Sequence, residues 1–379
     1  MIISFHLPTK IIFGPGSLAQ LGVEAKRLGQ KAILVTGLSS MRRTGVLDKV
    51  VSDLKANGID TLIYDKVEPN PRASTVDEGA RIVRSKGIDL VIGLGGGSAM
   101  GAAKGVVLAS TGTKSIIDYF DAEIDEKAPT ASLILVPTVA GSGTEANDGA
   151  VITNWETGEK WEFFSPYFLP KVSIVDPELT LTLPKKPTAQ GGVDIFCHLV
   201  ETYLVTQRPP PLADGILEMP MRLVVESLPQ ALSRLDDIEA RTRLSWVSTV
   251  ACSQFTQLGA GAGTMTLHGI EHPLSGYYDI AHGDGLATLL PAWMRYTFPV
   301  RQEKFYSLGK NVFGGTDGIL ATEKWLEKIG MRLRLRDLGI KPERFEQMAD
   351  CALRTVSWLK LHPRLLDAAA IVKIYQDSY

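Results

Sequence analysis

The stretch Asp89-Leu90-Val91-Ile92-Gly93-Leu94-Gly95-Gly96-Gly97-Ser98 decides the fold. Its first half is short, apolar and rich in branched side chains, the pattern of a strand buried on both faces. Its second half is a glycine turn, and residues 99–110 beyond it read as a helix. Glycines let a backbone approach a ligand closely, and a helix N-terminus offers free N–H groups to a phosphate. The spacing is not the G-x-G-x-x-G of a dinucleotide fingerprint, and the turn follows the third predicted strand rather than the first. Three consecutive glycines and a serine still exceed what a tight turn requires. Gly95, Gly96, Gly97 and Ser98 are therefore predicted to bind phosphate.

The same alternation extends on both sides. Upstream, residues 32–36 and 61–64 read as strands, and 46–57 and 74–86 as helices. Downstream, 132–136 reads as a fourth strand. Strands alternating with helices imply a parallel sheet joined by right-handed crossovers. The turn after the fourth strand, residues 137–145, again combines hydroxyls with glycines, so Thr138 and Ser142 join the candidates for the ligand. Past Pro184 the strand signals nearly vanish. Helical patterns follow at 189–206, 215–233, 238–258, 285–297 and 321–329, and helix-rich composition runs on to Tyr379. The predicted architecture is an α/β parallel-sheet dinucleotide-binding domain at 1–184 followed by an all-α domain at 185–379.

Bulk properties narrow the class. The formal net charge is −2, so no global field recruits nucleic acid or an anionic membrane. No apolar run approaches the roughly 20 residues that span a bilayer. Residues 1–10 lack a basic segment followed by an apolar one. The three cysteines, Cys197, Cys252 and Cys351, are widely spaced and odd in number, which argues against a disulfide framework. A soluble, cytoplasmic protein acting on a small molecule is expected.

Of six histidines, four (His198, His268, His272 and His282) fall early in the helical domain. Asp194 and His198 are four residues apart and share a helix face among apolar neighbours. A carboxylate in such a setting needs a partner or a cation. His268 and His272 are also four apart, and His272 precedes Pro273, which places it at a helix exit. One carboxylate with two or three imidazoles holds a divalent first-row ion and leaves a position for substrate. Spacing alone leaves His268 and His272 as alternatives for the same role.

These segments, in this order, resemble the iron-containing alcohol dehydrogenase family. The likeness begins at Pro8-Thr9-Lys10-Ile11-Ile12-Phe13-Gly14 and passes through Gly95-Gly96-Gly97-Ser98, Pro137-Thr138, residues 141–145 and Asp176-Pro177. It continues through residues 194–201 and His268-Gly269-Ile270-Glu271-His272-Pro273-Leu274 to His282-Gly283. The look is closest to the butanol dehydrogenase and broad aldehyde reductase branch. The resemblance implies a sheet domain, a helical domain, a cleft between them, and a homodimer. It implies metal ligands Asp194, His198, His268 and His282, holding iron(II) or, as the alternative, zinc. His272 would stand just outside them, near the nicotinamide, as a catalytic residue. Lys160 and Leu179 would line the cofactor. One position departs: the family's usual aspartate three residues after the turn serine is Gly101 here, although Lys104 is kept.

The implied reaction is reversible hydride transfer between an alcohol and NAD(P)⁺. NAD-preferring relatives follow the first strand with an aspartate, whose carboxylate repels a 2′-phosphate. Here Gly37 stands there, followed by Ser39, Ser40, Arg42 and Arg43, so NADP(H) is expected over NAD(H). Phe255, Leu258, Trp155, Phe164 and Tyr278 are candidate substrate-pocket residues, favouring aliphatic aldehydes over polyols. The rival readings are a glycerol-dehydrogenase-like or dehydroquinate-synthase-like relative, and a non-catalytic nucleotide-binding protein.

Overall fold

The computed structural model describes residues 6–120, 122, 128, 130–210, 212–256 and 264–379. Leu258 lies outside them. The chain packs as two units. The sheet unit is Leu7–Thr157 with Trp161–Thr182; the helical unit is Leu183–Tyr379, joined by Gly158–Lys160 and His6.

The strands are β1 (Lys10–Phe13), β2 (Lys31–Gly37), β3 (Asp60–Val67), β4 (Leu90–Gly95), β5 (Ser132–Pro137), β6 (Gly149–Asn154), β7 (Glu159–Phe164) and β8 (Val172–Val175), all in the sheet unit except the first two residues of β7. Six of these form one sheet in the order β1-β8-β5-β4-β2-β3, every pair parallel. Its helices are α1 (Leu21–Leu28), α2 (Ser40–Arg43), α3 (Val46–Ala56), α4 (Ala73–Lys86) and α5 (Gly97–Ser110). Strand side chains alternate between two cores. Ile33, Val35, Val91, Leu133 and Leu135 pack with residues of α4 and α5. Ala32, Leu34, Leu90, Ile92, Ile134 and Val136 pack with α1 and α3. Helices on both faces explain why these strands are apolar without a polar side.

The structure adds four strands to those read from the sequence. β1 and β8 are four residues each, too short to show a period, and lie side by side at one edge of the sheet. β6 and β7 pair with each other as a separate two-stranded sheet. The chain leaves β2 for β3 on one side and returns to β4 on the other. The strand order therefore reverses between β2 and β4, the place where open α/β sheets bind ligands at their carboxyl ends.

The helical unit consists of α6 (Lys185–Val205), α7 (Ala213–Ser233), α8 (Ile238–Ala251), α9 (Thr266–Tyr278), α10 (His282–Val312), α11 (Gly318–Lys328), α12 (Phe345–Thr355) and α13 (Ala368–Asp377). α6 is buried on all sides from Gly191 to Val205, so it is the central helix rather than an amphipathic surface one. α10 runs past the expected end at residue 297 and kinks at Arg301, where the backbone leaves helical geometry. Among the described residues, no helix is long and apolar enough to cross a membrane.

One expectation is corrected. Pro273 does not end a helix at His272; both lie inside α9. Proline removes the amide that would have bonded the Gly269 carbonyl. Helix geometry survives because Thr266 to Gly276 are all buried, and the Tyr375 phenol donates to the neighbouring Ile270 carbonyl at 2.6 Å. Tertiary packing outweighs the local preference.

Candidate functional site

In the helical unit, three helices bring four donors together. Asp194 and His198 come from one face of α6, His268 from the first turn of α9, and His282 from the first residue of α10. The Nε2 atoms of His268, His198 and His282 lie 3.2, 3.6 and 3.9 Å from the same carboxylate oxygen, Asp194 Oδ1. Asp194, His268 and His282 form the tightest group, with ligand atoms all within 4.8 Å of one another. His198 joins it through Asp194, its ring stacked on that of His268 at 4.5 Å. Donors about 2.1 Å from a tetrahedral ion lie about 3.4 Å apart. Spacing and donor type therefore fit a divalent first-row ion.

Two buried glutamates aim the imidazoles. Glu201, fully buried on α6, takes the Nδ1 hydrogen bond of His268 and accepts from the His268 amide at 3.3 Å, capping the start of α9. Glu271, fully buried on α9, takes the Nδ1 hydrogen bond of His282 and accepts from the Ser275 hydroxyl. With Nδ1 committed, each ring presents Nε2 to the cluster, which fixes both tautomer and direction. Sequence reasoning missed both glutamates. A signal was present: each follows a candidate ligand by three residues in an otherwise buried helix.

Glycines set the approach. A Cβ at Gly283 would stand 2.5 Å from the Gln190 carbonyl, so only glycine lets the start of α10 touch α6 and set His282 beside Asp194. A Cβ at Gly285 would meet Glu271 Oε1 at 2.5 Å, so that glycine leaves room for the carboxylate holding His282.

Burial opposes charge throughout the cluster. It pushes the Asp194 carboxyl up, but His198, His268 and His282 outweigh it and hold the group well below the usual carboxylate range. Burial would also depress His268, yet Glu201 and Asp194 raise it to about 10. The two carboxylates thus favour the protonated form of His268, and a cation held at Nε2 would take the place of that proton. Burial takes His198 down to about 3 despite Asp194, so it stays neutral.

His272 lies one turn beyond His268, its ring 6.1 Å from that of His282. Burial, and then the Lys160 ammonium, hold its pKa well below the ordinary value. It is a neutral imidazole whose Nδ1 has no hydrogen-bond partner among the described residues. Lys160 packs with the helical unit and is buried.

In the sheet unit, Gly95-Gly96-Gly97-Ser98 closes β4 and opens α5, with Gly96 as the N-cap in extended geometry. The second turn packs on the first: the Thr138 amide donates to the Gly95 carbonyl at 2.9 Å, and a Cβ at Gly97 would stand 3.0 Å from Ser142 Oγ. Lys104, buried on α5, anchors that second turn. Its ammonium donates to Thr144 Oγ1, the Asn147 carbonyl and Asn147 Oδ1 at 2.9 Å each, and to the Gly149 carbonyl at 2.7 Å. Gly37 ends β2 and Ser39 and Ser40 follow it, across the strand-order reversal, with both serines exposed. Leu179 is buried in the core with α1 and α3. Asp65 of β3, absent from the sequence reading, pairs with Arg42 at 2.8 Å, leaving Arg43 as the exposed arginine of the loop not held by that carboxylate.

Of the described candidate substrate residues, Trp155 and Phe164 belong to the sheet unit and Phe255 and Tyr278 to the helical unit. Trp155 lies under the Arg72 guanidinium at 4.0 Å. Tyr278 sits against Arg344 and accepts from the Lys341 amide. Phe164 packs near Gly149, and Phe255 is exposed in the segment after α8.

Comparison with known proteins gives this arrangement its class. The family model for iron-containing alcohol dehydrogenase matches residues 8–177, and that for the C-terminal part of the Fe-containing alcohol dehydrogenase family matches residues 188–379. The NADH-dependent butanol dehydrogenase A of Clostridium acetobutylicum is 34% identical, covering 99% of both chains. The crystal structure of NADH-dependent butanol dehydrogenase A from Thermotoga maritima superposes with a TM-score of 0.92 at 34% identity, covering 98% of this chain and 97% of that one. An archaeal halo-thermophilic alcohol dehydrogenase from a Red Sea brine pool gives a TM-score of 0.93 at 31% identity over 100% of both chains. The chain belongs to the iron-containing alcohol dehydrogenase family, in its butanol dehydrogenase branch, and is an oxidoreductase of that family.

Proposed function

We propose that the protein interconverts aliphatic alcohols and aldehydes, using one divalent ion, iron(II) before zinc, and a nicotinamide dinucleotide. The observation that carries this reading is the convergence of three imidazole Nε2 atoms on Asp194 Oδ1. When bound, the ion supplies Lewis acidity and the nicotinamide supplies the hydride. The chain supplies the rest. Asp194, His198, His268 and His282 hold the ion, while Glu201 and Glu271 fix the imidazole directions. The turns at Gly95–Ser98 and Thr138–Ser142 present backbone N–H groups and hydroxyls to the pyrophosphate. His272, kept neutral by burial and Lys160, passes a proton between the substrate oxygen and solvent. Lys160 and Leu179 border the cofactor. A homodimer completes the proposal, on the strength of the resemblance. The test is NAD(P)H-dependent butanal reduction against glycerol oxidation; strong glycerol turnover with negligible butanal reduction overturns the substrate assignment.

For the cofactor, the reading is NADP(H) over NAD(H), although the butanol dehydrogenases above are named for NADH. Gly37 places no carboxylate after β2, Ser39 and Ser40 offer hydroxyls, and Arg43 supplies charge to a 2′-phosphate. A Cβ at Gly37 meets nothing closer than the Val67 carbonyl at 3.7 Å, so aspartate fits there. Gly37→Asp is expected to move the kcat/KM ratio of NADPH to NADH toward NADH. A wild-type enzyme favouring NADH by tenfold, about 1.4 kcal/mol, contradicts this reading of the loop.

Gly101 also has room, since its Cβ would meet only the Val151 carbonyl at 3.8 Å. An aspartate there would share a helix face with Lys104, three residues on. Gly101→Asp is expected to leave turnover within a small factor or raise it. Complete loss would mean that the pocket is built around glycine.

A further inference from the structure

The helical unit contains a cavity of about 760 Å³ among α6, α7, α11 and the start of α10. That is within the size range of small-molecule sites, about 300–1,000 Å³. Its wall is apolar at Ala189, Leu232, Ile329, Met331 and Leu338. Its charged lining is Lys185, Lys186 and Lys328 against Asp284 and Asp337, a surplus of one positive charge. Asp284 is the informative residue. Its side chain is only 5% exposed, and Lys186 Nζ approaches Oδ2 at 3.2 Å. Oδ1 is buried and has no hydrogen-bond partner among the described residues. Position in the first turn of α10 favours an acid through the helix dipole, but that leaves the oxygen without a donor. A buried carboxylate oxygen in that state is unfavourable until a donor reaches it.

We propose that this cavity is a second binding site, apart from the Asp194 cluster, for a small anionic amphiphile. The apolar body lies on Leu232, Ile329, Met331 and Leu338. The Asp284 side chain turns so that Oδ1, shielded from solvent without the ligand, accepts from a ligand N–H or O–H. The anionic group faces Lys185 and Lys328 at the rim. The site does not depend on the cofactor or substrate assigned above.

The probe is 8-anilinonaphthalene-1-sulfonate, which combines an aromatic body, one N–H donor and one sulfonate. It is titrated calorimetrically into the metal-loaded protein with NAD⁺ and NADP⁺ both saturating, so that the dinucleotide turns are filled. One site per chain is expected. Lys328→Glu, at an exposed rim position, and Leu232→Glu, on the wall, are each expected to weaken binding at least tenfold. Displacement of the probe by the dinucleotides, absence of a stoichiometric site, or affinity unchanged in Lys328→Glu overturns the proposal. Lys328→Glu alters only an exposed side chain, so its result stands even if Leu232→Glu fails to fold.

Discussion

Replacing His268 with alanine is expected to strip the metal and lower turnover by about 1,000-fold or more, some 4 kcal/mol of lost transition-state stabilisation, while the helical unit stays folded. His268 is the imidazole closest to Asp194 Oδ1 and belongs to the tightest donor group. Its loss leaves Asp194 with His198 and His282 at longer distances. His272→Ala provides the contrast. It is expected to keep the metal and lose activity by about 10- to 100-fold, as for removal of a proton-transfer group. Metal content by elemental analysis and kcat on one aldehyde separate the two variants. If His272→Ala loses the metal and His268→Ala keeps it, the ligand assignment is wrong.

The second large effect is expected at a residue that touches no ion. Glu201→Gln should weaken metal affinity by about 10- to 100-fold. The amide keeps the shape but loses the charge that holds the His268 Nδ1 hydrogen and caps the start of α9. Glu271→Gln should act the same way through His282. Competition with a chelator of known affinity reads both changes. Unaltered affinity in both variants would show that the imidazoles are oriented by packing alone.

Much of this was legible in the sequence because its signals are local. The apolar run ending in Gly95-Gly96-Gly97-Ser98 announces a strand, a turn and a helix without reference to anything distant. Asp194 and His198 announce one helix face by their spacing. What escaped depends on contacts between distant segments. Glu201 becomes informative only when α9 docks on α6, and Glu271 only when Gly283 and Gly285 let α10 close on its neighbours. Asp65 enters the cofactor question only because β3 lies beside β2 and Arg42 reaches it. Pro273 misled for the opposite reason: its local rule is sound, but the buried surroundings of α9 override it. β1 and β8 are recognisable as strands through their pairing, not through four residues of pattern.

Turnover is expected to depend on a divalent ion held by Asp194, His198, His268 and His282. The most direct measurement is butanal reduction with NADPH by enzyme purified anaerobically, then treated with a chelator, then resupplied with iron(II). One ion per chain is expected at the start, with loss of turnover on loss of the ion and recovery on resupply. Full turnover by protein shown by elemental analysis to be free of metal would contradict it.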